Sequence, residues 1–417
     1  MKIFLKIFLI IILSEIFAYH SNTNSNSLNT DPGLNFKLGN EVIISEGFSL
    51  IENKNIGLIT NNSGVLSDGV PFVDALAKKE NVKVKKIFSP EHGFRGNDES
   101  GDYIDELTGI PVITLYGSKR KPSSGDLKDI DILIYDIQDV GARFYTYIST
   151  MYYCMESAYE NNKKIIICDR PSVPYLDYAD GFILDNNFKS FVGSLNIPVV
   201  YGMTCGELAK YINDEYFRGQ CNLEVCEMKD YYRSSDYQNL SLYWVKPSPS
   251  MYFPTTAVMY SGTCLLEGTN FSEGRGSDMP FEYVGAPYCN SDLLKEELDS
   301  YYFDGVEFIK ISFKPVSIAS NSNPPKYIGE ECSGIYIKVT NKKLVQPFKI
   351  GVALLISLKK LFPGFKWRND NFIDKLAGTD KLRKMIDANK SYEEIINSYS
   401  SELKEFKDKR AKYLIYN

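Results

Sequence analysis

Glu91 lies in the run Ser89-Pro90-Glu91-His92-Gly93-Phe94-Arg95-Gly96, directly after an apolar stretch, and this segment is well suited to acid–base chemistry. A proline followed by a carboxylate, an imidazole and a glycine makes a tight turn that presents the carboxylate at a strand end. Partial burial there disfavours the charged form, which would keep a general acid protonated near neutral pH. The plainer use of the same residues is a helix cap or an ion pair between Glu91 and Arg95. Further polar residues follow other apolar runs: Asn61, then Asp136 and Asp139, then Arg170. An aspartate after a buried strand also often caps the next helix, so Asp136 and Asp139 have a milder claim to chemistry than Glu91.

A second cluster, Glu267-Gly268-Thr269-Asn270-Phe271-Ser272-Glu273-Gly274-Arg275-Gly276, places Glu267, Asn270, Glu273 and Arg275 among glycines. Glycines there let backbone and ligand approach closely. Carboxylates in two such groups suit glycoside cleavage, where one acid protonates the leaving oxygen and a second group acts at the anomeric carbon or on water. Arg95, Arg143, Arg170 and Arg275 could make bidentate pairs with a substrate carboxylate, or internal salt bridges. Tyr116, Tyr145 and Tyr147 could stack on sugars or pack into the core.

Other chemistries find less support. Only two histidines exist, and His20 falls in an export or tether region, which leaves His92 alone and excludes a histidine-rich metal site. No Gly-x-Ser-x-Gly elbow supplies a serine for acyl transfer, and no Gly-x-Gly-x-x-Gly follows the first strand to hold a dinucleotide. No metal and no cofactor is expected. The eight cysteines include no Cys-x-x-Cys; Cys154, Cys168 and Cys264 lie in apolar or helical stretches and read as small buried hydrophobes. With 53 acidic against 47 basic residues and no basic block, nucleic acid is not an expected partner.

The elements that must position these residues alternate along the first half of the chain. Ile56–Thr60, Val84–Phe88, Ile130–Tyr135 and Ile165–Cys168 read as buried strands, with a helix over Arg143–Asn161 and a further strand at Ile197–Tyr201. Alternation of this kind predicts a parallel sheet covered by helices, whose carboxyl ends collect the polar residues on one rim. Thr204-x-x-Glu207 and Ser391-x-x-Glu394 are capping boxes that open helices. After about residue 220 the pattern becomes α+β, with a helical stretch at Ala257–Leu266, strands at Phe308–Phe313 and Ile335–Val339, and a helix over Gly351–Leu361. Residues 1–18, two lysines before a short apolar run, read as a signal peptide, and 19–39 as a disordered tether. The remainder divides into an α/β domain over 40–203 and a smaller α+β domain over 204–417. A secreted, periplasmic or cell-envelope location follows, with no stable membrane span in the mature chain.

Four motifs are similar to those of a known family: Ser89–Gly96, Tyr135–Tyr147, Gly202–Ala209 and Glu267–Gly276 resemble the exo-β-N-acetylmuramidase family called NamZ, formerly a domain of unknown function. The likeness runs from about Gly57 to Tyr416. It implies a Rossmann-like N-terminal domain, a smaller C-terminal domain, a cleft between them, and removal of terminal β-1,4-linked N-acetylmuramic acid from non-reducing ends of peptidoglycan-derived glycan. The glutamate of the family's Pro-Glu-His-Gly motif falls on Glu91. The lactyl carboxylate of muramic acid would give the arginines a purpose. Ser172 and Ser250 stand where the family usually has asparagine, which bears on hydrogen bonds to the sugar.

The second catalytic group is left open among Asp136, Asp139, Glu267 and Glu273, as is participation of the substrate's 2-acetamido group. Two rival readings are a non-catalytic glycan-binding protein and an esterase or amidase using His92. Assaying Glu91→Gln and His92→Asn on a chromogenic β-N-acetylmuraminide separates them. A muramidase cleaves it and is slowed by Glu91→Gln, an esterase or amidase does not cleave it and loses its own acyl turnover with His92→Asn, and a binding protein has no turnover to lose.

Overall fold

The computed structural model describes residues 35–96, 101–173, 176–235, 237–318 and 324–417. The expected signal peptide and most of the expected tether lie outside these residues. The end of the expected tether is built into the fold instead, with Lys37 bridged to Lys229 and Leu38 capping the first described helix. No helix among the described residues is long and apolar enough to cross a membrane.

The first part of the chain runs α1 (Gly39–Ser45), β1 (Asn55–Thr60), α2 (Phe72–Ala77), β2 (Lys83–Ser89), β3 (Tyr103–Ile104), β4 (Pro111–Thr114), β5 (Ile132–Asp136), α3 (Tyr147–Glu160), β6 (Lys164–Cys168), α4 (Cys205–Phe217) and β7 (Leu223–Cys226). These strands form one sheet in the order β3-β4-β2-β1-β5-β6-β7, parallel except for β3 against β4. All of β5 is buried, as a strand covered on both faces requires. Successive residues point to opposite faces. Leu58 and Ile134 therefore meet Ile43 of α1 and Phe72 of α2, while Ile59 and Tyr135 meet Met151 of α3 and Leu208 of α4.

The second part runs α5 (Pro254–Thr263), β8 (Tyr283–Ala286), α6 (Ser291–Asp299), β9 (Val306–Phe313), β10 (Cys332–Val339), α7 (Pro347–Leu361), α8 (Phe372–Ala377), α9 (Lys381–Asp387), α10 (Tyr392–Asn397) and α11 (Ser400–Arg410). Its three strands form an antiparallel sheet, β8-β10-β9. Both capping boxes are present, at Thr204 and Ser391. All eight cysteines are free and buried.

Three expectations shift. The helix expected from Arg143 starts at Tyr147, because Ala142 bridges Val200 and the Arg143 amide donates to the Val199 carbonyl. Ile197–Tyr201 accordingly pairs with loops and not with the sheet. The sheet edge beyond β6 is taken by β7, so the parallel sheet continues past the junction expected at 203/204. One hydrophobic cluster then runs from Ile59 to Tyr413 and joins the two parts.

The strand order changes direction between β1 and β5, where an open α/β sheet usually binds its ligand. Here that crevice is filled. Asp136, at the end of β5, is fully buried and accepts from Arg170 Nε at 2.6 Å and Nη2 at 2.9 Å, and from Asn40 Nδ2 at 3.0 Å. Arg170 Nη2 also donates to the Val65 carbonyl, and the Thr60 hydroxyl to the Asp136 carbonyl. Arg170→Leu would strand a buried carboxylate and should cost about 3–5 kcal/mol in urea unfolding. A loss below about 1 kcal/mol would assign this pair no structural role.

Candidate active site

After β2 ends at Ser89, His92 (φ 72°) and Gly93 (φ 76°) are both left-handed. Glycine takes that conformation freely, whereas a histidine pays about 1–2 kcal/mol, so the surroundings hold His92 in place. The Gly93 amide closes the turn on the Pro90 carbonyl at 3.3 Å. Glu91 is left half-buried, and its Oε2 accepts a 2.8 Å hydrogen bond from Thr146 Oγ1. Thr146 immediately precedes α3, so the helix that covers the sheet also fixes the group that orients Glu91. The Tyr147 hydroxyl donates to the Pro247 carbonyl at 2.5 Å and lies 3.4 Å from the Glu91 carbonyl.

Glu91 and His92 line a cavity of about 220 Å3 together with Tyr116, Tyr145, Thr146 and Tyr147, and with Ser248, Tyr260, Glu267, Arg275 and Phe281 from later in the chain. The second group comes from the loop before α5, from α5 itself, and from the glycine-rich segment that follows it. Glu267 sits in a 3₁₀ turn, Cys264–Gly268, whose last glycine packs against Ile373 with no room for a side chain. Its Oε1 accepts from Arg275 Nη2 at 2.8 Å and Nε at 3.3 Å, while Arg275 Nη1 donates to Ser250 Oγ at 3.0 Å. The guanidinium also stacks over the Phe281 ring at 4.7 Å. The buried Tyr145 hydroxyl neighbours Ser248 and Tyr147, but among the described residues it meets no partner in hydrogen-bond geometry.

The remaining residues expected at the site are placed elsewhere, and each is occupied structurally. Arg95 holds Asp105 through two bonds, at 2.7 and 2.8 Å, and Asp74 at 3.1 Å. Asn61 donates to the Pro247 carbonyl and accepts from Ser63. Asp136 and Arg170 neutralise each other behind the strand ends. Arg143 is fully buried and donates to the carbonyls of Phe182, Ile197 and Leu376; burial without a carboxylate partner pushes its pKa down to about 9. Asn270 ties its loop to Tyr288, Gly364 and Lys366. Glu273 is buried against Lys326 at 2.7 Å and Arg275 at 3.5 Å. Burial raises its pKa, but the charges of Lys326 and Arg275 outweigh burial and hold it below the usual range.

Asp139 accepts from the Gly141 amide at 2.7 Å and from the Tyr201 hydroxyl, and its other oxygen is unsatisfied among the described residues. Burial pushes its pKa up to about 6 against these bonds. A carboxyl raised in the folded state stabilises most below its unfolded pKa and loses that contribution as pH rises through the folded value. Relative to wild type, Asp139→Asn should therefore gain about 2 kcal/mol between pH 4 and pH 7, read from urea unfolding at each pH. A pH-independent difference would overturn this.

From the residues named in the sequence, the structure brings together Glu91, His92, Tyr116, Tyr145, Tyr147, Glu267 and Arg275. Thr146 was passed over although it stands between two noted tyrosines. Ser248 lies in the Pro-Ser-Pro-Ser run, and Phe281 carried no sequence signal. Among the described residues, no group of three or more His, Cys, Asp or Glu side chains is gathered to hold a metal.

Residues 56–255 match the family profile described as Exo-beta-N-acetylmuramidase NamZ, N-terminal, and residues 258–416 its C-terminal counterpart. The chain is 41% identical over 383 residues, 91% of either protein, to the peptidoglycan beta-N-acetylmuramidase NamZ of Bacillus subtilis (strain 168). Two crystal structures of DUF1343 family proteins from Bacteroides fragilis NCTC 9343 are also similar. One has 32% identity and a TM-score of 0.84, the other 35% and 0.73, and each comparison covers 92% of this chain and 99% of the other. With both halves matched in order over almost its whole length, the chain belongs to the NamZ exo-β-N-acetylmuramidase family of glycoside hydrolases.

Proposed function

We propose that the cavity binds the terminal N-acetylmuramic acid of a peptidoglycan glycan fragment and that Glu91 and Glu267 act on its glycosidic bond. One observation carries this reading: of the five candidate carboxylates named from the sequence, only Glu91 and Glu267 line the cavity. The volume, about 220 Å3, is below the ~300 Å3 at which pockets for drug-sized ligands begin. Such a space suits one sugar at a chain end.

Thr146 occupies Oε2 of Glu91 and leaves Oε1 to carry the proton to the leaving oxygen. Glu267 supplies the second carboxylate, for the water or for the 2-acetamido group. Arg275 has five N–H donors, of which Glu267 and Ser250 take three, so the lactyl carboxylate can use the rest. Export, expected from residues 1–18, would bring the enzyme to its polymer.

Glu91→Gln should lower kcat on a MurNAc-GlcNAc disaccharide by about 10²–10⁴-fold, and by less on an aryl muraminide whose leaving group needs little protonation. An equal loss on both would remove Glu91 from the acid role. Arg275→Lys should raise KM for muraminides about tenfold, with little change for N-acetylglucosaminides, which lack the lactyl group. Equal effects on both sugars would sink the lactyl assignment.

A further inference from the structure

A second cavity, of about 500 Å3, opens between the 301–304 loop that follows α6, the 343–346 loop before α7, and α10. It shares no lining residue with the active-site cavity. The helix pair α5 and α7 stands between the two, packed so closely that Gly262 and Gly351 face each other with no space for a side chain. The site chemistry therefore makes no use of this second hollow.

Its walls are unusually aromatic. Tyr301 and Phe303 stack at 5.7 Å with 12° between their planes, and Tyr392 meets both edge-on, at 5.2 and 6.1 Å. Between them Tyr302 is 89% exposed, in a left-handed conformation at φ 53°. A bulky residue seldom adopts that conformation, and a large apolar ring left in water at a strained position gains nothing for the fold. Lys343 and Lys349 add ammonium groups to the lining, and Asp177 and Asp304 add carboxylates.

Aromatic faces beside hydroxyl-binding and cationic side chains match a carbohydrate: ring C–H groups pack on the aromatic faces, and hydroxyls and carboxylates meet the polar rim. We infer that this cavity is a second glycan site, which holds an internal stretch of a peptide-free glycan strand while a chain end occupies the active site. The inference rests on the proposed muramidase activity for its choice of glycan. Lys343 and Lys349 would meet the lactyl carboxylates that recur along such a strand. Holding the polymer at a second point raises the effective concentration of chain ends at the first.

The test uses the full chain and two readouts. Binding of purified peptide-free glycan strands is measured in a Glu91→Gln background, and turnover of a chromogenic β-N-acetylmuraminide in the wild-type background. Tyr302→Ala, and separately Lys343→Glu, should weaken strand binding about tenfold and leave muraminide kcat/KM unchanged. Tyr302 is on the surface, so its loss does not endanger folding, and Lys343→Glu tests charge without removing a ring. Unchanged strand binding in both variants overturns the second site. So does a parallel fall in muraminide turnover, or a Tyr302-dependent dimer in sedimentation. Tyr302-dependent strand binding in a protein that never cleaves muraminides would support the second site and sink the activity reading.

Discussion

A carboxylate buried at the end of a parallel strand must be neutralised where it stands, and Asp136 is neutralised by Arg170. That ion pair, with Asn40 and Thr60 around it, occupies the crevice where the strand order reverses. The usual ligand position of an open α/β sheet is thereby closed. The site is displaced sideways, to the end of β2, and the loop after β5 is left to run across to it. Asp139, with its bonds from Gly141 and Tyr201, and Arg143, with its three carbonyl partners, pin that loop from within. Its last residues, Tyr145 to Tyr147, then become the wall that faces Glu91.

The other wall belongs to the second part of the chain, and its placement depends on close backbone contact. Gly262 against Gly351 brings α5 onto α7, and Gly268 against Ile373 seats the turn that carries Glu267. Arg275 spans Glu267, Ser250 and the edge of Glu273, and the half-buried Lys326 balances the extra negative charge. These charged pairs hold the walls, and Tyr116, Tyr145, Tyr147 and Arg275 line the space between. A continuous apolar core from Ile59 to Tyr413 joins the two parts of the chain that supply the walls.

The sequence by itself determined the buried strands β1, β2, β5 and β6, both capping boxes, and Glu91 as a carboxylate at a strand end, because each depends on neighbours a few residues away. A buried strand shows as an apolar run, a capping box as a three-residue spacing, and a turn as Pro-Glu-His-Gly. The ordered motifs likewise carried the family. Tertiary structure decided which carboxylates face the cavity. Asp136, Asp139, Glu267 and Glu273 look alike in sequence, since all follow an apolar stretch and lie near glycine or arginine. What separates them is the partner each meets from a distant segment: Arg170 for Asp136, Tyr201 for Asp139, Lys326 for Glu273, and Arg275 on the cavity wall for Glu267. The same holds for the arginines, because a guanidinium pairs with whatever acid or carbonyl the fold brings near. Only long-range packing brings Thr146 to Glu91 across 55 residues of chain, and no local pattern records that contact.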